Sequence, residues 1–314
     1  MCRPGFVDSW EGRGRRSTNL FDLHLEPIER VEGISGDEVP DKLSGPRRPL
    51  IFSGLERHFE FLRSWGLERF SKIDDIVRAQ RPQSDGVNYF TEYHRMPLSE
   101  FVARIEKGED LYIGALQMLG RGGERSDKDG LGDLAPEVSL PPWLESSRIS
   151  SGNLWLGRGG KRTLLHYDPW DGYLTVGTGQ KEFLAFLNTE TRNLYPYGPL
   201  DYKSLINSRV LHSKLNPRDI QERYQSRVRK VRGFRGTVAA GEMIVIPAGF
   251  WHYVESAGLN IGINFFVDFS DRNLHFSEPL RTYWIKDNIT LMPVRAGRKA
   301  RMLAGRVYRR FRPR

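Results

Sequence analysis

Between residues 152 and 268 the chain is a succession of short apolar runs cut by Gly, Pro or Asn. The runs are 153–156, 163–166, 173–176, 182–187, 243–246, 252–255 and 261–268. Many short strands joined by tight turns fold as a sandwich or jelly roll. The expected fold class is therefore mainly β with flanking helices. Upstream, Pro49–Phe52 reads as a first short strand. Ser53 then reads as the N-cap of a helix carrying Leu55, Phe59, Leu62 and Trp65 on about one face. Further strands are expected at 87–90 and 111–113, and a helix at 97–107 with Leu98, Phe101, Val102 and Ile105 apolar. Residues 199–235 look like a polar, basic insertion between two strands, and the pattern turns helical after 270.

These patterns divide the chain into three. Residues 1–45, rich in Gly, Pro and charge, are expected to be a poorly ordered leader in which only Phe21, Leu23 and Leu25 form a cluster able to pack. Residues 46–270 form the domain, and 271–314 a helical segment ending in a basic tail. The net charge is +9, and residues 295–314 hold nine Arg and Lys with no Asp or Glu, so the remainder is neutral. A smaller basic cluster is Arg223, Arg227, Arg229, Lys230, Arg232 and Arg235. In the tail, Ala300, Leu303, Val307 and Phe311 recur at near-helical spacing among the arginines, a pattern suited to an anionic partner such as RNA or a membrane surface. The single cysteine, Cys2, excludes an intrachain disulfide. The first residues lack an apolar signal segment, and no apolar run approaches the ~20 residues of a membrane helix, so an intracellular, cytoplasmic protein is expected.

Two segments carry chemistry. One is Thr163-Leu164-Leu165-His166-Tyr167-Asp168; the other runs from Gly241-Glu242 through four apolar residues and Pro247-Ala248-Gly249 to Trp251-His252. His166, Asp168 and His252 supply two imidazoles and one carboxylate, the donor set of a mononuclear non-haem iron site that leaves its opposite positions open. His-x-Asp alone arises often by chance; the strand-turn-histidine segment makes the pair specific. Gly157 to Thr163 is glycine-rich and contains Lys161, but it lacks the spacing of a phosphate loop and precedes a strand. His24, His58, His94, His212 and His275 read as surface or core residues.

The two segments, with Asn153–Gly157, Leu194–Tyr197, Trp251–Ser256 and Asn264–Phe266, resemble the JmjC/cupin-type Fe(II)- and 2-oxoglutarate-dependent oxygenases, closest to their small hydroxylase branch. The resemblance covers roughly 46–290 and implies a double-stranded β-helix core. It also implies hydroxylation of a C–H bond in a protein, peptide or small molecule, consuming 2-oxoglutarate and O2 and releasing succinate and CO2. RNA base hydroxylation and a catalytically silent cupin are the alternatives, and histone-type demethylation ranks below them. By position, His166, Asp168 and His252 match the iron ligands, and Lys181 matches the lysine that pairs with the distal carboxylate of 2-oxoglutarate. Thr163 and Tyr112 match hydroxyl groups that reach the same carboxylate, and Asn264 an asparagine near metal and cosubstrate. Gly172 stands where the family often has asparagine. Relatives of this kind often pair through C-terminal helices, which here implies a homodimer through 271–292.

Overall fold

The structure, a computed structural model, describes residues 19–81, 93–126, 132, 134–201, 211–269, 272–289 and 292. Its described strands form one 13-stranded sheet. In chain order they are β1 (Glu26–Pro27), β2 (Glu29–Val31), β3 (Leu50–Phe52), β4 (Ile76–Gln80), β5 (Tyr93–Pro97), β6 (Tyr112–Leu119), β7 (Ile149–Gly157), β8 (Lys161–Arg162), β9 (His166–Tyr167), β10 (Asp171–Phe186), β11 (Gly233–Ala239), β12 (Met243–Ile246) and β13 (Trp251–Val267). The main path runs β2-β3-β12-β10-β13-β7-β6-β4-β5, while β1 and β11 continue from β10, and β8 and β9 pair with β13. Every residue of β12 is buried, as expected for a Met-Ile-Val-Ile strand covered on both faces.

Two long strands turn this sheet back on itself. The first half of β10, Gly172 to Thr175, pairs with β12 on one side and with the second half of β13 on the other. Its second half, Gln180 to Phe186, pairs with β11 and with the first half of β13. The change falls between Val176 and Gln180, where the register shifts twice. Gly179 stands there at φ 81°, a conformation open to glycine, and a Cβ on it would lie 2.1 Å from the Leu259 carbonyl oxygen. The two halves of the β10–β13 pair thus belong to two facing layers, the arrangement of a jelly-roll core, and a cavity opens between them.

Helix Leu98–Glu106 covers the outside of one layer, burying Leu98, Phe101, Val102 and Ile105 in a core with Ile113, Leu154 and Ile263. These four recur at the i, i+3, i+4, i+7 spacing of one helical face, and each such burial is worth about 1.5–3 kcal/mol. The other layer packs Tyr167, Leu184, Phe186, Trp251 and Tyr253 into a second core.

Several expectations change. Residues 19–45 are not a loose leader: β1 pairs in parallel with β11, β2 in parallel with β3, and Leu20, Val31 and Val39 are buried. The buried apolar residues of this charged stretch are too far apart in sequence to show a period. Ser53 caps no helix; a 3-10 turn, Glu56–Phe59, precedes the α-helix Glu60–Ser64, although Leu55, Phe59, Leu62 and Trp65 are all buried as expected. The runs 173–176 and 182–187 up to Phe186 belong to one bent strand, as do 252–255 and 261–268 up to Val267. Residues 163–165 lie outside any strand, between β8 and β9. The expected strand 87–90 and the basic tail 295–314 fall outside the described residues, as does 202–210 of the insertion. Residues 280–289 are helical, with Trp284, Ile285 and Ile289 exposed.

Because Gly179 sets the bend, Gly179→Ala is expected to destabilise the protein. The positive φ alone costs about 1–3 kcal/mol, and the Leu259 backbone must also move. Urea denaturation should show a lower midpoint; an unchanged midpoint would mean that the bend does not depend on this residue.

Candidate metal centre and its cavity

His166 and His252 face each other in register across β9 and β13, with ring centroids 4.2 Å apart. Asp168 stands two residues past His166, where the chain leaves β9. Its Oδ2 is 3.9 Å from His166 Nε2 and 3.5 Å from His252 Nε2. One ligand atom from each residue falls within 4.8 Å of the others. The turn before β13 is tied to this point, since the Gly249 N–H donates to the Asp168 carbonyl at 2.9 Å. Gly249, at φ 83°, makes that turn, which explains the Pro-Ala-Gly spelling ahead of Trp251-His252.

Both imidazoles are oriented in the same way. His166 Nδ1 lies 2.6 Å from the Leu164 carbonyl and His252 Nδ1 3.1 Å from the Phe250 carbonyl. A carbonyl only accepts, so each Nδ1–H donates and each Nε2 presents a lone pair to the shared space. Burial, then the neighbouring His166, holds the His252 pKa well below its usual value, favouring the neutral ligand form. Burial also raises the Asp168 carboxyl, which His166 opposes. Its side chain is 21% exposed, and that exposure is to the cavity. A carboxylate of raised pKa placed against two imidazoles is a site that a divalent cation stabilises.

The cavity has a volume of about 280 Å³, and all seven sequence-predicted residues line it. Along β13 the alternation of a strand sends His252, Val254 and Ser256 to the cavity, while Trp251 and Tyr253 enter the second core. Lys181, on β10 opposite Ser256, is 4% exposed and donates to Ser256 Oγ at 2.8 Å. Among the described residues no carboxylate pairs with it, and burial lowers its pKa to about 8. A buried ammonium with a single hydroxyl partner is costly without an anion, so this end of the cavity fits a carboxylate ligand.

Thr163 lines the wall, but its Oγ1 accepts from the Val254 N–H at 2.9 Å and so serves the fold as well. The Tyr112 ring lies against Gly157, where a Cβ would come within 2.4 Å of it. Asn264 is 7% exposed and its Oδ1 meets no hydrogen-bond partner among the described residues. Gly172 leaves space beside it: a Cβ there would be 3.6 Å from Asn264 Oδ1. Three further residues at or beside the site carry no functional role in the sequence pattern. Ser256 was discoverable from its i+4 spacing to His252. Lys161 lines the cavity, paired with Asp110. His212, read as an ordinary histidine, bridges to His166 by backbone pairing and stacks on its ring at 5.6 Å.

Comparison with known proteins agrees with this geometry. A family model described as a cupin-like domain matches residues 37–273. Human tRNA wybutosine-synthesizing protein 5 is 25% identical over 259 residues, 77% of this chain and 78% of the relative. Lysine-specific demethylase 8 of Xenopus tropicalis is 22% identical over 247 residues; the match covers 76% of this chain but only 52% of the relative, so the chain spans about half its length. Human bifunctional peptidase and (3S)-lysyl hydroxylase JMJD7 is 27% identical over 252 residues, 71% of this chain and 78% of the relative. With a cupin-like match across the whole β core and relatives of this kind, the chain belongs to the JmjC-type cupin-like family of Fe(II)- and 2-oxoglutarate-dependent oxygenases.

Proposed function

We propose that this protein hydroxylates a C–H bond of a protein, peptide or small molecule, with Fe(II) held by His166, Asp168 and His252 and 2-oxoglutarate held by Lys181. The observation that carries the reading is the pairing of two features in one cavity: a three-residue donor set and, beyond it, a buried lysine without a carboxylate. Bound together, Fe(II) and 2-oxoglutarate supply the oxidation that uses O2 and leaves succinate and CO2. The chain's own residues bind and orient. His166 and His252 offer Nε2 lone pairs and Asp168 its carboxylate from one side, leaving the other side open. Lys181 and the Ser256 hydroxyl take the distal carboxylate, with Tyr112 and Thr163 beside them. Leu174, Phe183, Ile246 and Val254 line the stretch between and exclude water. Asn264 and the space at Gly172 stand where a substrate group meets the site.

A second reading, RNA base hydroxylation, is favoured by one surface. The Tyr195 and Tyr224 rings meet at 4.5 Å, tilted by 51°, with Arg223 over Tyr224 at 4.7 Å and Arg227 over Tyr195 at 5.6 Å. Aromatic faces among arginines suit unstacked bases, and one of the relatives is named for tRNA wybutosine synthesis. Lysine demethylation, the activity in another relative's name, uses the same site chemistry. Succinate release measured with Fe(II), ascorbate and 2-oxoglutarate against peptide, tRNA and metabolite pools separates these readings. Stimulation by tRNA alone would replace the first reading with the second; a protein that releases no succinate under any condition would favour a silent cupin. We also propose that the basic tail 295–314 contacts an anionic partner and that 271–292 pairs two copies. The exposed Trp284, Ile285 and Ile289 support the latter.

His252→Ala and Asp168→Ala are each expected to lower Mn(II) or Fe(II) affinity and succinate formation by at least about 100-fold while preserving the circular dichroism spectrum. Full turnover in His252→Ala at ordinary iron concentration would contradict the ligand assignment.

Lys181→Ala should weaken 2-oxoglutarate binding by roughly 2–5 kcal/mol, the loss expected when one member of a buried charge pair is removed. The charged lysine is the form that binds a carboxylate, so affinity should hold below about pH 8 and fall as pH rises above it. The other titratable groups of the cavity are Lys161, Tyr112, His166, Asp168 and His252. Isothermal titration across this range is the measurement. Affinity that is flat through pH 9 in wild type would remove Lys181 from cosubstrate binding.

A further inference from the structure

The end of the cavity away from the metal centre holds two lysines, not one. Lys161 on β8 and Lys181 on β10 each stand opposite the same residue of β13, Ser256. Directly opposed residues of antiparallel strands send their side chains to the same face, and all three line the cavity. Two strand spacings place the two lysine backbones roughly 10 Å apart, with Ser256 on the strand between them. Each lysine is 4% exposed, yet their partners differ. Lys181 has the Ser256 hydroxyl at 2.8 Å, whereas Lys161 is paired with Asp110, whose side chain is 64% exposed. Asp110 can exchange its lysine for water at little cost, because an exposed carboxylate stays solvated. Lys161 is buried and has no such exchange; only another anion replaces Asp110 for it.

We propose that Lys161 is a second anion-binding cation of the cavity, that a dicarboxylate places its distal carboxylate between Lys161, Lys181 and Ser256, and that Asp110 competes with this carboxylate for Lys161. The proposal rests on the cosubstrate reading above and adds to it a residue that sets affinity and a residue that tunes it. It has a signature that a purely structural clasp lacks. Lys161→Gln removes a cation from the ligand and weakens binding. Asp110→Asn removes the competitor and strengthens it. If the ion pair only fastened β8 to the segment before β6, both variants would break the same contact and act in the same direction.

The test is isothermal titration of the full chain with 2-oxoglutarate in the presence of Mn(II), and in parallel with glutarate, which has both carboxylates but no keto group to chelate a metal. Lys161→Gln is expected to weaken both ligands by about tenfold or more, the loss of one charge-assisted contact, and Asp110→Asn to tighten both severalfold. Lys161→Arg, which keeps the charge, should bind more tightly than Lys161→Gln. Because Asp110 is largely exposed, Asp110→Asn carries the test even where a Lys161 variant fails to fold. Variants that weaken together, or an Asp110→Asn protein with unchanged affinity, in a wild-type background that binds 2-oxoglutarate, overturn this inference alone. Wild-type protein that takes up neither ligand overturns the cosubstrate reading and this inference with it.

Discussion

Antiparallel pairing between β10 and β13 holds both ends of the cavity, because the two strands stay hydrogen-bonded from Asp171 to Phe186 through a change of layer. His252, Val254 and Ser256 hang from one strand, Gly172, Leu174, Lys181 and Phe183 from the other. A strand's side chains alternate with period two, so a one-residue slip of either strand would turn its own residue, Lys181 or His252, away from the space that the other still faces. The bend near Gly179 is what lets one ladder serve both walls. Without it β10 and β13 would form a flat ribbon with its polar groups facing solvent.

The cavity sorts its ionisable groups by position. At one end a carboxylate meets two imidazoles, of which His252 is held well below its usual pKa by burial and by His166; at the other two lysines stand opposite one serine. The wall between is apolar. From His252 to Ser256 the strand rises roughly 13 Å, a distance that a metal ion, a short diacid and a lysine side chain cover between them. A divalent cation held at the first end would give both ends of the channel a positive group, which suits a ligand anionic at both ends.

What could be read beforehand followed from local signals. The cluster of His166, Asp168 and His252 was legible because each member sits in a run with its own turn chemistry: Gly249 at positive φ ahead of His252, and the tight His166-Tyr167-Asp168 step. Lys181 and Asn264 were legible only through the resemblance. Lys161 was not, because residues 163–165 interrupt the strand between it and His166, so no alternation links the two. Its role becomes visible only when β13 brings it opposite Ser256. His212 enters from a distant segment through a single backbone bridge, which leaves no pattern in sequence. Glycines within 173–187 and 252–268 read as breaks between strands, and the structure uses them as bends within strands. A glycine permits both, and only the pairing partner decides.

Residues 26–31 close two open margins of the sheet at once. β1 lies along β11 and β2 along β3, so a charged, six-residue segment covers the outer hydrogen-bonding edge of each. Arg30 fastens it by donating to the Thr237 carbonyl at 3.0 Å and by pairing with Glu242, and the Ile28 N–H donates to the Arg235 carbonyl at 2.9 Å. Composition alone invites a domain boundary near residue 46. A shortened protein starting there would keep the whole cavity wall and yet present two bare strand edges, one of them hydrophobic Leu50–Phe52, to its neighbours in solution. Its failure would then look like insolubility and self-association, with an intact cavity inside the aggregate.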